Sequence, residues 1–433
     1  MATILILGGL GQDGARQLIP YLLSSAGPSP AFLRIVDRYF ILPQADPIPS
    51  TTYLDLDARQ ALSKGSKEGK VEYLQGNLLT EATRTKAFTL PEAHGGPAKG
   101  FDYVFDFTGE HDYSLPDAVH IERTLRLALL LGKSAVDFKV GAYVRLLATQ
   151  YKLAGDKKGK VGEQGEGSAE PWGVRAGWLH ESARGLAKIE GLNLVLLRPA
   201  TFYGDYTVTG LTPRVLIGEV YRYLGEKLEF LWKESTAVNT IHSIDFSSAA
   251  VAIAEWAAKN GAATVLSQAG EDLPTTLKSN DLIKDVACAA KKEDKVRAAV
   301  FSVVDDGETT QKEIAKVIEE VVGVEAGFHG SIISSFAKLN MGDVLEDVND
   351  KHLEGWSALL TASNPPISTT VPISPNTPAD LLQPYPISFS NALLKQLTGW
   401  APTRKLDAAT VRETVDKFKK EGNWPNAPPK SKR

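Results

Sequence analysis

Apolar residues in the first half of this chain fall into short unbroken runs. They are "ATILILGG", "AFLRIVDR", "KVEYLQGNL", "FDYVFDFTG" and "LNLVLLRP". Uninterrupted runs of this length, each ending in glycine or a polar residue, predict strands buried on both faces of a parallel sheet. Between them lie stretches with helical spacing, among them "GARQLIPYLLSSA" and "IERTLRLALLLG". Strand and helix alternate to about residue 200, which predicts a doubly wound α/β domain. Further on, "PRVLIGEVYRYLGEK" and "NTIHSIDFSSAAVAIAEWAAK" read as largely helical, "AAVFSVVDDGETT" as a returning strand and turn, and "QKEIAKVIEEVVG" as an amphipathic helix. Residues 152–170 form a polar, glycine-rich loop. Prolines throughout 363–386 exclude helix and central strand there and predict an ordered surface excursion or a lid.

The expected architecture is a Rossmann-type doubly wound parallel sheet with a smaller C-terminal α/β lobe. The sheet domain takes residues 1–205 and 236–309, and the lobe takes 206–235 and 310–433. The length of 433 residues suits two such units. With 43% hydrophobic and 23% charged residues the chain can bury a large core. A formal charge of −4 gives no basic field for nucleic acid or an anionic membrane. The single cysteine, Cys288, excludes an internal disulfide and a cysteine metal cluster, and "DVACAA" places it in the core. No apolar run reaches the roughly 20 residues needed to span a bilayer, and "MATILILGGLG" lacks the basic start of a secretion signal. The expectation is a cytoplasmic protein acting on a small-molecule substrate, with neither nucleic acid nor membrane as partner. A homodimer stays open.

"GGLGQDG" follows the first strand and opens the first helix, the context in which such a motif carries meaning. Gly8 permits the tight turn, Gly11 lets backbone approach a pyrophosphate, and Gly14 lets helix pack on strand. Helix N-terminal amides then hold the anion. Asp37 ends the second strand at the distance expected of a carboxylate that accepts both ribose hydroxyls of NAD and repels the 2′-phosphate of NADP. Arg38 beside it could accommodate that phosphate, and Asp13 must point away from a pyrophosphate. The cofactor expected is NAD rather than NADP.

These residues resemble the extended short-chain dehydrogenase/reductase family, the NAD-dependent epimerases and dehydratases. "ILILGGLGQDG" is similar to the family's glycine motif, and "LQGNL" to its adenine-contacting segment, with Asn77 in place of an acid. "VFDFTGE" resembles the strand along the cofactor and "VLLRPATFYG" the segment passing the nicotinamide, which brings Thr108, Gly109 and Pro199 into the implied cofactor site. "NTIHSIDFSSAA" and "FSVVDDGETT" resemble later family segments. Members use Ser, Tyr and Lys with an Asn: tyrosinate moves the alcohol proton, lysine lowers its pKa and serine holds the substrate oxygen. Here the serine falls on Gly141, the Tyr-x-x-x-Lys pair on Trp172 and Ala176, and the Asn on His120. All four are changed, and an indole N–H is no base near neutral pH.

Displaced acid/base residues are therefore sought at Glu110 and His111, just past the cofactor strand, and at Tyr143. Arg175, in a position to anchor a carboxylate, and Lys139 are further candidates. "HESAR", with His180 and Glu181, lacks the second histidine of a zinc motif, so no metal is expected. Two functions follow. One is an NAD-dependent oxidoreductase, epimerase or dehydratase with non-standard acid/base residues. The other is a catalytically inactive NAD-binding regulatory or scaffold protein.

Overall fold

The computed structural model describes residues 1–153, 169–330, 333–334, 337, 339–368 and 371–430. The expected loop at 152–170 therefore lies largely outside the described residues. The chain divides into two units.

The first unit comprises Met1–Pro199, Ile244–Val304 and Phe389–Pro402. Its strands in chain order are β1 (Thr3–Leu7), β2 (Phe32–Asp37), β3 (Val71–Gln75), β4 (Tyr103–Asp106) and β5 (Ala142–Leu146). After them come a small antiparallel pair, β6 (Tyr151–Leu153) with β7 (Ala169–Pro171), and then β8 (Leu194–Pro199). The main sheet has eight strands in the order β12-β13-β8-β5-β4-β1-β2-β3, where β12 is Gly270–Asp272 and β13 is Arg297–Val303. Every pairing is parallel except that of β12 with β13. The strands β1, β2 and β8 are buried at every position, which is why they read as continuous apolar runs. Strand order reverses between β1 and β4, and in open α/β sheets the crevice beyond the strand C-termini at that point is where ligands sit.

Helices of this unit are α1 (Asp13–Leu23), α2 (Leu56–Lys67), α3 (Glu81–Phe88), α4 (Asp117–His120), α5 (Leu127–Asp137) and α6 (Val174–Ala187). Between α4 and α5 the segment Ile121–Arg126 winds as a π-helix, a local widening that is frequent at functional sites. Phe389–Pro402 returns to this unit, where Asn391 Nδ2 donates to the Val304 carbonyl and Trp400 Nε1 to Ser248 Oγ. Cys288 is exposed, at a φ of 66°. The core placement expected of it fails because "DVACAA" is a run of turns after Ile283, not a buried helix.

The second unit comprises Ala200–Ser243, Asp305–Ser388 and Thr403–Arg433. It contains β9 (Thr201–Tyr203) paired with β11 (Thr240–His242), and β10 (Leu228–Phe230) paired with β14 (Ala326–Phe328). Its helices include α7 (Thr212–Leu224) and, after α8 (Ser243–Ala269, which belongs almost wholly to the first unit), α9 (Gln311–Val322). The start and stop of α9 are written locally. Thr310 and Glu313 form a reciprocal capping box, and Gly323 takes the left-handed conformation that ends the helix. Its buried residues Ile314, Val317, Ile318 and Val322 form one stripe packed on α7 and on the helix Ala408–Lys420. The proline-rich excursion is held to this unit, with Asn349 bonded to Thr377 and Trp232 Nε1 to the Leu382 carbonyl.

Candidate functional site

The loop between β1 and α1 is built by its glycines and by the residues packed under them. Gly8 and Gly9 have φ of 65° and 80°, conformations that disfavour any side chain. A Cβ on Gly9 would stand 2.4 Å from Phe107 Cβ, so Gly9, which the motif reading passed over, is the most constrained of the set. Gly14 faces the Phe107 ring at 3.0 Å, the close helix–strand approach expected of it. Gly11 has ordinary backbone geometry and faces the hydroxyls of Tyr39 and Thr52. Asp37, at the end of β2, accepts from the Leu10 amide at 3.0 Å and from the Arg38 amide at 2.6 Å, tying its carboxylate to the loop. Burial pushes its pKa up, against these amides and the Arg38 charge. Arg38 stacks on the Tyr39 ring, its guanidinium 5.2 Å from the centroid.

The Asp13 side chain is buried. It pairs with Arg16 at 2.8 Å, and Arg16 also pairs with Asp55 at 2.9 Å, with all three side chains buried. Asp55 in turn caps α2 through the Ala58 amide. The acid that opens α1 is thus neutralised within the protein. Asn77 is exposed and spends its side-chain oxygen on the Leu79 amide, and Gly76 binds the Asp37 carbonyl, so this turn stands beside Asp37.

Beyond β4 the chain runs through Thr108, Gly109, Glu110 and His111. Thr108 donates to Asp106, and its methyl packs on Gly8, 2.8 Å from where a Cβ would be. Glu110 is almost fully engaged. Its amide donates to Thr124, one carboxylate oxygen accepts from the amides of His111 and Asp112, and the other pairs with Arg123 at 2.7 Å. Burial raises its pKa, but Arg123 and the two amides outweigh this and hold the carboxyl below its usual range. Arg123 and Thr124 both come from the π-helical turn. His111 is half-buried, with Nδ1 3.3 Å from Arg175 Nη2 on the first turn of α6. Burial, then the guanidinium groups of Arg175, Arg38 and Arg145, push its pKa well down, so the imidazole is neutral.

No family model and no curated protein sequence matches the chain. Solved structures do. A UDP-glucose 4-epimerase from Thermotoga maritima, with UDP-glucose, aligns over 97% of this chain and 99% of its own at 12% identity and a TM-score of 0.56. The dTDP-glucose 4,6-dehydratase DesIV from Streptomyces venezuelae, with NAD bound, aligns over 98% and 99% at 14% identity and 0.57. A UDP-glucuronic acid 4-epimerase from Bacillus cereus, with UDP-glucuronic acid and NAD, aligns over 97% and 100% at 11% identity and 0.55. The chain shares the fold of these epimerases and this dehydratase.

Within that fold the slots can be checked by geometry. Gly141 lies at the N-terminal edge of the sheet, where its amide binds the Phe101 carbonyl and a Cβ would come 2.6 Å from the Asp102 carbonyl oxygen. No serine could stand there, and the glycine loop is at the other edge. The serine position was misplaced, because a short strand's pattern does not tell one end from the other. Beyond the C-terminal end of β5 come Ala148 and Gln150, both buried, with Gln150 Oε1 lacking a hydrogen-bond partner among the described residues. Lys139 is likewise at the far edge and exposed, so it drops out.

Trp172 precedes α6, half-buried, with its amide on the Gln150 carbonyl, and Ala176 is buried in the first turn. Tyr143 is completely buried within β5. Its hydroxyl donates to Asp106 at 2.7 Å, and burial together with that carboxylate drives its pKa well up. It belongs to a sealed network with Arg145, which pairs with Asp106 and reaches Ser182 on α6. A phenol so placed cannot meet a substrate. His120 is buried, and neither ring nitrogen makes a well-formed hydrogen bond. Pro199 is the last residue of β8.

His180 and Glu181 are buried. His180 Nδ1 meets the Tyr151 hydroxyl at 3.1 Å and Nε2 the Pro274 carbonyl at 2.7 Å, while Glu181 pairs with Arg184. No cluster of metal-ligating side chains occurs among the described residues. Burial holds His180 down to about 4, and His352 in the second unit also to about 4. A depressed histidine stabilises the folded state above the unfolded pKa of roughly 6.5, and that contribution is lost as pH falls towards 4. Each unit should therefore lose up to about 1.4 kcal/mol per pH unit from its histidine across this window. Denaturant melts from pH 7 to 4 check it; His180→Gln should flatten the slope of the first unit, and an unchanged slope would contradict the assignment.

Proposed function

We propose that the chain binds NAD(H) in the first unit and works as an oxidoreductase or isomerase on a small molecule without the phenol of ordinary family chemistry. The observation that carries the reading is the tie between the Asp37 carboxylate and the Leu10 amide, which sets a ribose acceptor against a glycine loop opening a helix. The residues present fit the cofactor. Gly8 and Gly9 fix the turn against Thr108 and Phe107, Gly11 meets only the ends of the Tyr39 and Thr52 side chains, and the N-terminus of α1 would face the anion with the Asp13 charge cancelled by Arg16. The hydroxyls of Tyr39 and Thr52 stand over Gly11 as further donors. Thr108, Gly109, Asn77 and Pro199 line the remaining path implied by the fold.

The bound cofactor would accept or return a hydride. The chain's own part is to orient and polarise. A neutral His111, with Nδ1 accepting from Arg175, carries its proton on Nε2 and can donate a hydrogen bond to a reacting oxygen. Glu110 fixes the loop that presents His111. Its carboxyl is held ionised by Arg123, which makes it a positioning residue in this reading. The alternative, a regulatory NAD-binding protein, is favoured by the resemblance, which puts Trp172 and Ala176 in the tyrosine and lysine slots.

Asp37→Ala should weaken NAD(H) binding by about 1.5–3 kcal/mol, ten- to a hundredfold, and reduce the preference for NAD over NADP. Calorimetric titration of both forms with both cofactors checks this; equal or tighter NADP binding by the wild type would sink it. A hydride-transfer panel separates the two uses. Turnover lost by at least a hundredfold in His111→Gln supports the enzyme, and no turnover on any substrate supports the regulator.

A further inference from the structure

We infer that Arg175 and His111 form a binding site for an anionic oxygen group, a carboxylate or a phosphate. This rests on, and extends, the placement of the ligand crevice above. Arg175 is half-buried at the first turn of α6, and its contacts are all with neutral groups. Nη1 is 3.4 Å from the Tyr113 hydroxyl, Nη2 is 3.3 Å from His111 Nδ1, and the guanidinium lies over the Tyr113 ring. Its Nε is buried and has no hydrogen-bond partner among the described residues.

The acids nearby are otherwise committed. Glu110 serves Arg123 and two amides, Asp112 serves Ser114, and Asp117 accepts from Trp178 Nε1 at 2.7 Å. The first turn of α6 holds no acidic residue, and Gly173 caps it with no side chain. The positive end of the helix and the guanidinium therefore add, with no carboxylate among the described residues paired to them. A guanidinium lying over an aromatic ring, 5.4 Å from its centroid, and contacting only neutral groups among the described residues suits a forked, two-point contact with carboxylate or phosphate. His111 supplies a further donor from Nε2. His120, buried and without a well-formed hydrogen bond, belongs to the same charge cluster, since Arg175 and Glu110 both act on its pKa.

The anion has two sources, the pyrophosphate of the dinucleotide or an acidic group on the substrate. The full-length wild type, Arg175→Gln and Arg175→Lys are titrated calorimetrically at low ionic strength with inorganic phosphate and with malonate, with and without saturating NAD. Arg175→Gln should weaken anion binding at least tenfold, and Arg175→Lys, which keeps the charge but loses the fork, should fall between. Competition with NAD, together with weaker NAD binding by Arg175→Gln, assigns the site to the cofactor. Anion binding that persists beside NAD, with NAD affinity unchanged by the substitution, assigns it to the substrate. The inference is overturned if wild type and Arg175→Gln bind phosphate, malonate and NAD alike, or if neither form binds either anion and their NAD affinities agree. The anion arm needs no cofactor, so failure of the NAD reading would be seen separately.

Discussion

Gly11→Val is expected to remove NAD binding, raising the dissociation constant at least a hundredfold, while the protein keeps its fold. Gly11 has no left-handed φ, and an added Cβ would meet only the ends of two side chains, Tyr39 Oη at 3.2 Å and Thr52 Oγ1 at 3.4 Å. Both can move by a few tenths of an ångström. A pyrophosphate cannot, because it must come within hydrogen-bonding distance of the same backbone. Gly9→Val is the contrasting case: a φ of 80° and a Cβ 2.4 Å from Phe107 Cβ leave no room for the chain to fold normally. Thermal melts with calorimetry on both variants distinguish them. A Gly11→Val protein that melts like wild type and binds NAD equally well would reduce "GGLGQDG" to a turn.

The second large effect concerns stability. Asp106 and Arg145 form a fully buried ion pair between β4 and β5, and Tyr143 adds a hydrogen bond to the same carboxylate. Removing one charge leaves the other desolvated and unanswered, so Arg145→Met or Asp106→Ala should each cost about 3–5 kcal/mol. Replacing both at once, by Asp106→Leu with Arg145→Met, should recover most of that loss, since a well-packed apolar pair of similar volume is often no worse than a buried ion pair. Tyr143→Phe should cost about 1–3 kcal/mol through the carboxylate oxygen it leaves short of a donor. Urea midpoints measure all four. Single variants within 1 kcal/mol of wild type would contradict the sealed network and reopen Tyr143 to other roles.

The parallel sheet was legible because strands covered on both faces must be apolar throughout, and "TILIL" or "LVLLRP" can hardly be anything else. The loop was legible because glycine is needed where φ is positive or backbone meets ligand, and Asp37 because a strand end fixes its place. What the sequence hid was tertiary. Asp106, Arg145, Arg16 and Asp55 look like solvated charges until the fold pairs them out of water. Tyr143 alternates correctly along its strand, yet alternation does not say whether its face is a cleft or a core. Gly141 shows the same limit for direction, having the right neighbours at the wrong end of β5. The return of Phe389–Pro402 to the first unit, and the short pairings of β9 with β11 and β10 with β14, join segments far apart in the chain with no local signal. Tyr39 carries a weak signal in standing two residues after Asp37, whereas Thr52, fifteen residues on, carries none.

The most direct test of the central claim is a crystal structure of the full-length chain grown with NAD. The account predicts a dinucleotide with its adenosine ribose on Asp37, its pyrophosphate over Gly11 at the N-terminus of α1, and its nicotinamide reaching towards Gln150 and Trp172. A crevice without the dinucleotide at millimolar NAD, or a dinucleotide bound away from Asp37 and the glycine loop, would contradict it.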